Sequence, residues 1–183
     1  MINVQDLIQL KAFARQDGAL TALLWTASFA FVVTGTGGSL GNLLMMATPF
    51  FVGWRLVKFR NYALGGAISL RRSLAYCLYT FLCAAVLFAV VQYVYFRFLD
   101  HGVFTTMFTQ AMNALAPAYE QSGMSKADIK QTLDLVATLT PTQWTFVFMA
   151  QNVVLSLIAC LPIALACMRR PGGRQNINLQ NKE

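Results

Sequence analysis

Between Arg72 and Arg97 the chain runs from Ser73 to Phe96 without one charged side chain. An α-helix rises about 1.5 Å per residue, and a bilayer core takes about 20 predominantly apolar residues to cross. In water such a run would need burial on every side. In lipid it satisfies its own backbone hydrogen bonds as a helix. Composition decides between the two. Of the 183 residues only 11% are charged and 57% are apolar, with mean hydropathy +0.54. Soluble domains carry about 25% charged residues. So few charges cannot coat a soluble fold of this size. The run therefore reads as a transmembrane helix, and the chain as an all-α integral membrane protein.

Three further runs are long enough, or nearly so, to span. The expected spans are about 19–35, 40–57, 74–97 and 144–168, packed as a four-helix bundle within a single transmembrane domain over residues 1–175. In the first, Ala22, Thr26 and Ala30 recur every fourth residue, a small face that lets helices approach closely in lipid. It ends in the turn-forming stretch "GTGGS". In the second, Pro49 should kink the helix, and Gly41 and Gly53 permit close packing. Trp54 and Arg55 mark its exit. In the third, Tyr76, Tyr79, Thr80 and Cys83 fall in one arc at 100° per residue, expected to face inward. The fourth starts at Thr140-Pro141, an N-cap followed by an N1 proline, and carries a Ser156, Cys160, Ala164 ladder with Asn152 nearby.

The segment between the third and fourth spans predicts two amphipathic helices within about 103–139, forming a short lid on the outer side. Phe104, Met107, Phe108, Ala111, Met112 and Leu115 repeat at helical spacing, and Pro117 should end or bend that helix. Ser125 and Asp128 form a capping-box pattern for the second. Residues 176–183 read as a disordered cytoplasmic tail.

Net charge is +7, yet the basic residues flank apolar runs, which is the distribution of a topology signal and not of a nucleic-acid footprint. With the N-terminus in the cytoplasm, only Arg97, Lys126 and Lys130 lie on the other side. The positive-inside rule thus expects both termini to be cytoplasmic and the chain to cross the bacterial inner membrane repeatedly. The cluster Arg55, Lys58, Arg60, Arg71 and Arg72 has two readings. It orients the chain, or it also grips an anionic lipid headgroup or a protein partner.

Chemistry-bearing residues are sparse. His101 is the only histidine and sits beside Asp100, a weak basis for acid–base catalysis. Cys77, Cys83, Cys160 and Cys167 lie within apolar runs without CxxC spacing and read as small buried hydrophobes. "GTGGSLGN" lacks the Lys-Ser/Thr ending of a phosphate loop. No carboxylate falls inside the expected spans, which argues against proton transport. No metal, cofactor or catalytic constellation is expected, and the chain reads as non-enzymatic. The intramembrane polar candidates are Tyr76, Tyr79, Thr80, Gln92, Gln151, Asn152 and Ser156, either interhelical hydrogen-bond partners or the lining of a small polar cavity.

The stretch "FFVGWRLVKFRNYALGGAISLRRSLAYCLYTFLCAAVLFAVVQYVYFRFLD", with Ile68-Ser69-Leu70-Arg71-Arg72 leading into the third span, resembles a family of bacterial membrane proteins catalogued as domain of unknown function 4199. The resemblance implies a multi-span fold and an inner-membrane location, and transfers no catalytic residue. It also implies a neighbouring membrane-associated glycosyltransferase that uses polyprenyl phosphates. The expectation is a non-enzymatic inner-membrane subunit, anchor or scaffold in contact with membrane lipids and either such an enzyme or further copies of itself. The alternative is a small oligomeric transporter, flippase or channel for a lipid-linked or small substrate.

Overall fold

The computed structural model describes residues 4–35, 38–121, 123 and 125–169. Among them six helices form and no strand: α1 Val4–Val33, α2 Gly38–Ala63, α3 Leu70–Phe98, α4 Val103–Gln121, α5 Lys126–Ala137 and α6 Pro141–Cys167. Within α1 the stretch Leu7–Val33, together with all of α2, α3 and α6, is long and apolar enough to cross a membrane. The expected tail at 176–183 lies outside the described residues.

Helix α1 begins fifteen residues before the apolar run that announced it (Val4 against Ala19). The preceding segment is rich in Leu, Gln, Lys, Ala and Arg, all good helix formers, so the helix continues where hydropathy drops. Its buried stripe is Leu10, Ala14, Asp17, Thr21, Trp25 and Ser28. The small-residue face expected at Ala22, Thr26 and Ala30 is only partly used, since Ala30 is exposed. The inward place goes to Trp25, because α3 offers it Phe81 at 6.2 Å and Phe88 at 5.7 Å between ring centroids.

Glycines set the closest approaches. A Cβ on Gly18 of α1 would lie 2.7 Å from Cys83 Cβ and 2.8 Å from the Thr80 carbonyl oxygen of α3. One on Gly41 of α2 would lie 2.7 Å from the Ser28 carbonyl of α1, and the Ser28 hydroxyl donates to the Gly41 carbonyl at 2.7 Å. Gly53 is different: its nearest neighbours, Cys167 Sγ and Ile163 Cγ2 of α6, would be 3.6 and 3.8 Å from a Cβ, ordinary contact. Only Gly41 of the two glycines read from α2 is therefore a close-packing point.

The two ends of the packed helices are closed differently. At the basic end, Ile68 in the α2–α3 loop pairs with Arg169 beyond α6, N–H to carbonyl at 2.9 and 3.2 Å. At the other end α4 and α5 sit beside an aromatic cluster. Phe96 of α3 stacks on Trp144 of α6 at 6.0 Å, and Phe104 of α4 meets Trp144 edge-on at 5.1 Å. Pro117 does not end α4, which continues to Gln121. Its missing N–H deprives the Asn113 carbonyl of its helical bond, a local cost that does not stop the helix from running on. Capping is as the residues suggest. Ser125 Oγ accepts from Asp128 N–H at 3.2 Å while Asp128 accepts from Ser125 N–H at 3.0 Å, and these bonds hold the Asp128 carboxyl below its ordinary range. Thr140 and Gln143 close a second reciprocal box at the start of α6.

Gly18→Ala is expected to lower stability by about 1–3 kcal/mol, because the added methyl would meet the Cys83 Cβ and the Thr80 backbone carbonyl, neither of which can swing away. Gly53→Ala, with room for its methyl, is expected to be neutral or slightly stabilising. Thermal unfolding of both variants in one detergent checks the contrast.

Candidate functional site

The strongest concentration of polar chemistry within the spans is at the basic end, around Asp17. This residue is 1% exposed in the middle of α1. Its Oδ1 is ion-paired with the Arg55 guanidinium of α2, through both Nε and Nη2. Its Oδ2 accepts from the Tyr76 hydroxyl of α3. Thr21, one turn on, donates to the Asp17 backbone carbonyl at 2.8 Å. Phe59 stacks on Tyr76 at 4.9 Å and meets Phe13 at 5.3 Å, and Leu56 and Phe59 are fully buried beside them. Counting residues from the basic ends of the three helices, at about 1.5 Å each, the centre lies about 9–20 Å inside.

The expectation that no carboxylate lies within a span does not hold. Asp17 falls within Leu7–Val33, and the argument against proton transport that rested on its absence falls with it. Asp17 escaped notice because it precedes the apolar run. The available signal was the helix-forming character of residues 4–18, which carries α1 through it. Arg55, read as the charge that marks the exit of the second span, points inward and is spent on Asp17.

The other basic residues separate. Arg60 Nη1 donates to the Cys167 carbonyl at 2.9 Å, so it caps the C-terminus of α6, where a cation is favourable. The Lys58 ammonium lies 4.1 Å from the Trp54 ring centroid. Arg71 is exposed and Arg72 half-buried. The five expected contact residues thus do not form one open patch: two of them, Arg55 and Arg60, hold helices together.

The intramembrane candidates also divide. Tyr76 and Thr80 are fully buried, as the arc on α3 required, but Tyr79 faces outward with the Lys11 ammonium 5.4 Å from its ring centroid. An arc that includes residue 79 is too wide once α1 approaches α3 at Gly18. Gln92 is 1% exposed and its Oε1 has no hydrogen-bond partner among the described residues. Gln151 is exposed, whereas its neighbour Asn152 and Ser156 are buried. At the far end Asp100 accepts from Phe104 N–H at 2.7 Å and secures the start of α4, so the Asp100–His101 neighbourhood serves a helix start. Cys77, Cys160 and Cys167 are buried free thiols and Cys83 is half-buried. No group of three or more His, Cys, Asp or Glu among the described residues is placed to hold a metal.

The sequence profile of DUF4199, described as a protein of unknown function, matches residues 16–169. The chain belongs to the DUF4199 family. The match takes in Asp17, Arg55 and Tyr76 and ends at Arg169, the partner of Ile68, so most of the packed core of this DUF4199 protein is inside the family region, Leu10 and Ala14 of α1 lying just before it. No curated protein and no solved structure matches the chain.

What this arrangement does chemically follows from its closure. Both carboxylate oxygens of Asp17 are occupied and the residue is sealed, so it has no lone pair facing a substrate. It joins three helices through one acidic group. Removing one member of a buried ion pair leaves the other charge uncompensated and typically costs about 3–5 kcal/mol, whereas replacing both by apolar residues is often neutral. Asp17→Asn is therefore expected to destabilise this DUF4199 protein strongly. Asp17→Leu combined with Arg55→Leu should recover much of that loss, as read from unfolding temperatures in detergent.

Proposed function

We propose that the protein is a non-enzymatic subunit, anchor or scaffold of the bacterial inner membrane. In this reading the four long helices form a bundle with α4–α5 as an outer lid and both termini in the cytoplasm. The observation that carries this reading is the sealed state of Asp17, the one carboxylate found in the spans. Its groups are turned to one another, as suits a rigid core and not turnover. The outer surface fits the same reading: Phe146, Val154, Ile158 and Leu161 of α6 are more than half exposed, as a helix in contact with lipid or another helix requires. The exposed Arg71 remains for an anionic headgroup or a partner on the cytoplasmic side.

The partner that the family resemblance suggests is a membrane-associated glycosyltransferase using polyprenyl phosphate. Solubilisation in mild detergent at native expression, followed by purification through this chain, is expected to recover such an enzyme in stoichiometric amount. Arg71→Gln is expected to weaken its recovery without changing the unfolding temperature. Recovery of the chain alone, or only as copies of itself, overturns the partner assignment. The transporter reading is favoured by one observation, an ionisable pair inside the spans. It requires Asp17 to open to water, and so reactivity of an Asp17→Cys side chain toward a water-soluble thiol reagent.

A further inference from the structure

Helices α2 and α6 touch at the basic end, where the Cys167 thiol donates to the Gly53 carbonyl at 3.5 Å and Arg60 donates to the Cys167 carbonyl. At the level of Pro49 they part around a cavity of about 150 Å³. Its rim carries Met45 and Leu155, 40% and 54% exposed, so it opens outward between the two helices. Its back wall is Trp25 and Phe81. Counted along α6, Asn152 lies about 17 Å from one end and about 23 Å from the other, near mid-helix.

The polar groups in this cavity are not all alike. The Trp25 indole N–H donates to Thr48 Oγ1 at 3.1 Å, so that pair is satisfied. Asn152 and Ser156 are 8% and 7% exposed, both line the cavity, and neither makes a side-chain hydrogen bond among the described residues. A buried primary amide can donate twice and accept twice, and a hydroxyl can do both. Buried polar groups are rarely left unpaired, and these two line an open cavity that an occupant can fill. Pro49 adds to this, since it has no N–H to give to the Met45 carbonyl one turn earlier.

We propose that this cleft is a binding site for a small uncharged molecule, or a lipid moiety, that carries a hydroxyl group on an apolar body. Asn152 and Ser156 bind the hydroxyl as donor and acceptor, and Trp25, Phe81 and Leu155 enclose the apolar part. The volume suits a six-membered ring, since an apolar cavity of about 150 Å³ holds benzene. The neutrality of the ligand follows from the lining, which holds no Lys, Arg, Asp or Glu. An ion at this depth would lack a counter-charge. The site is separate from Asp17 and does not depend on the scaffold reading.

Trp25 supplies the reporter. The chain has three tryptophans, and Trp54→Phe with Trp144→Phe leaves Trp25 alone. In phosphatidylcholine nanodiscs, cyclohexanol is expected to shift Trp25 emission saturably, while methylcyclohexane, of similar shape without the hydroxyl, gives only the linear change of partitioning. Asn152→Leu should weaken cyclohexanol binding at least tenfold, and Ser156→Ala several-fold. If the double tryptophan variant does not fold, saturation-transfer NMR from the same two probes to the otherwise unaltered chain makes the same comparison. Equal, unsaturable responses to both probes overturn the proposal, as does saturation that Asn152→Leu leaves unchanged. Discs doped with diacylglycerol separate the sources. Competition with cyclohexanol assigns the hydroxyl to a membrane lipid, and saturable cyclohexanol binding without competition assigns it to a free solute.

Discussion

One carboxylate organises the packed helices. Asp17 lies on the buried stripe of α1, where neither water nor lipid reaches it. A buried charge must be paired and hydrogen-bonded. Arg55 provides the pairing from α2 and Tyr76 the second hydrogen bond from α3. Three helices are thereby fixed in rotation at one level. Gly18, the next residue, makes this possible, since its missing side chain lets α1 approach the Thr80 carbonyl closely enough for Tyr76 to reach the acid. Tyr76 and Thr80 then face in, and Tyr79 must face out.

Away from this centre the helices are held by weaker and more local means. The basic end is tied by the Ile68–Arg169 backbone pair and by Arg60 on the last turn of α6. The opposite end relies on stacked aromatic rings between α3, α4 and α6. Between them α2 and α6 share little. They meet where Gly53 and Cys167 allow contact and diverge toward Pro49. Where they part, the seam opens into the cavity lined by Asn152 and Ser156. Rigidity at Asp17 and openness at Asn152 are two consequences of the same packing.

Features that depend on a short stretch of chain were legible in the sequence. Ser125–Asp128 and Thr140-Pro141 are helix starts because the capping atoms are three or four residues apart, and the structure forms both. Positions whose partners lie far off were not legible. Arg55 resembles any basic residue at a span exit until its partner, 38 residues earlier, is in place. Tyr79 satisfies the same helical arc as Tyr76, and only the line of approach of α1 separates them. Pro117 resembles a helix end, yet α4 runs about one turn past it, since a proline disturbs the turn before it and leaves the residues after it free to stay helical. In each case the deciding contact lies outside the window over which periodicity or propensity is read.

The sequence by itself determined that the chain is helical, that four of its segments have the length and hydropathy to cross a membrane, and where several helices begin. Each of these is a property of consecutive residues: the free energy of putting a segment into lipid depends on its own side chains and its own backbone hydrogen bonds. Only the tertiary structure decided which charges are spent internally, which tyrosine is buried and where polar groups stand unpaired. Those outcomes depend on how each helix is rotated about its axis. That rotation is set by the Asp17, Arg55 and Tyr76 side chains meeting across a sequence separation of as many as 59 positions.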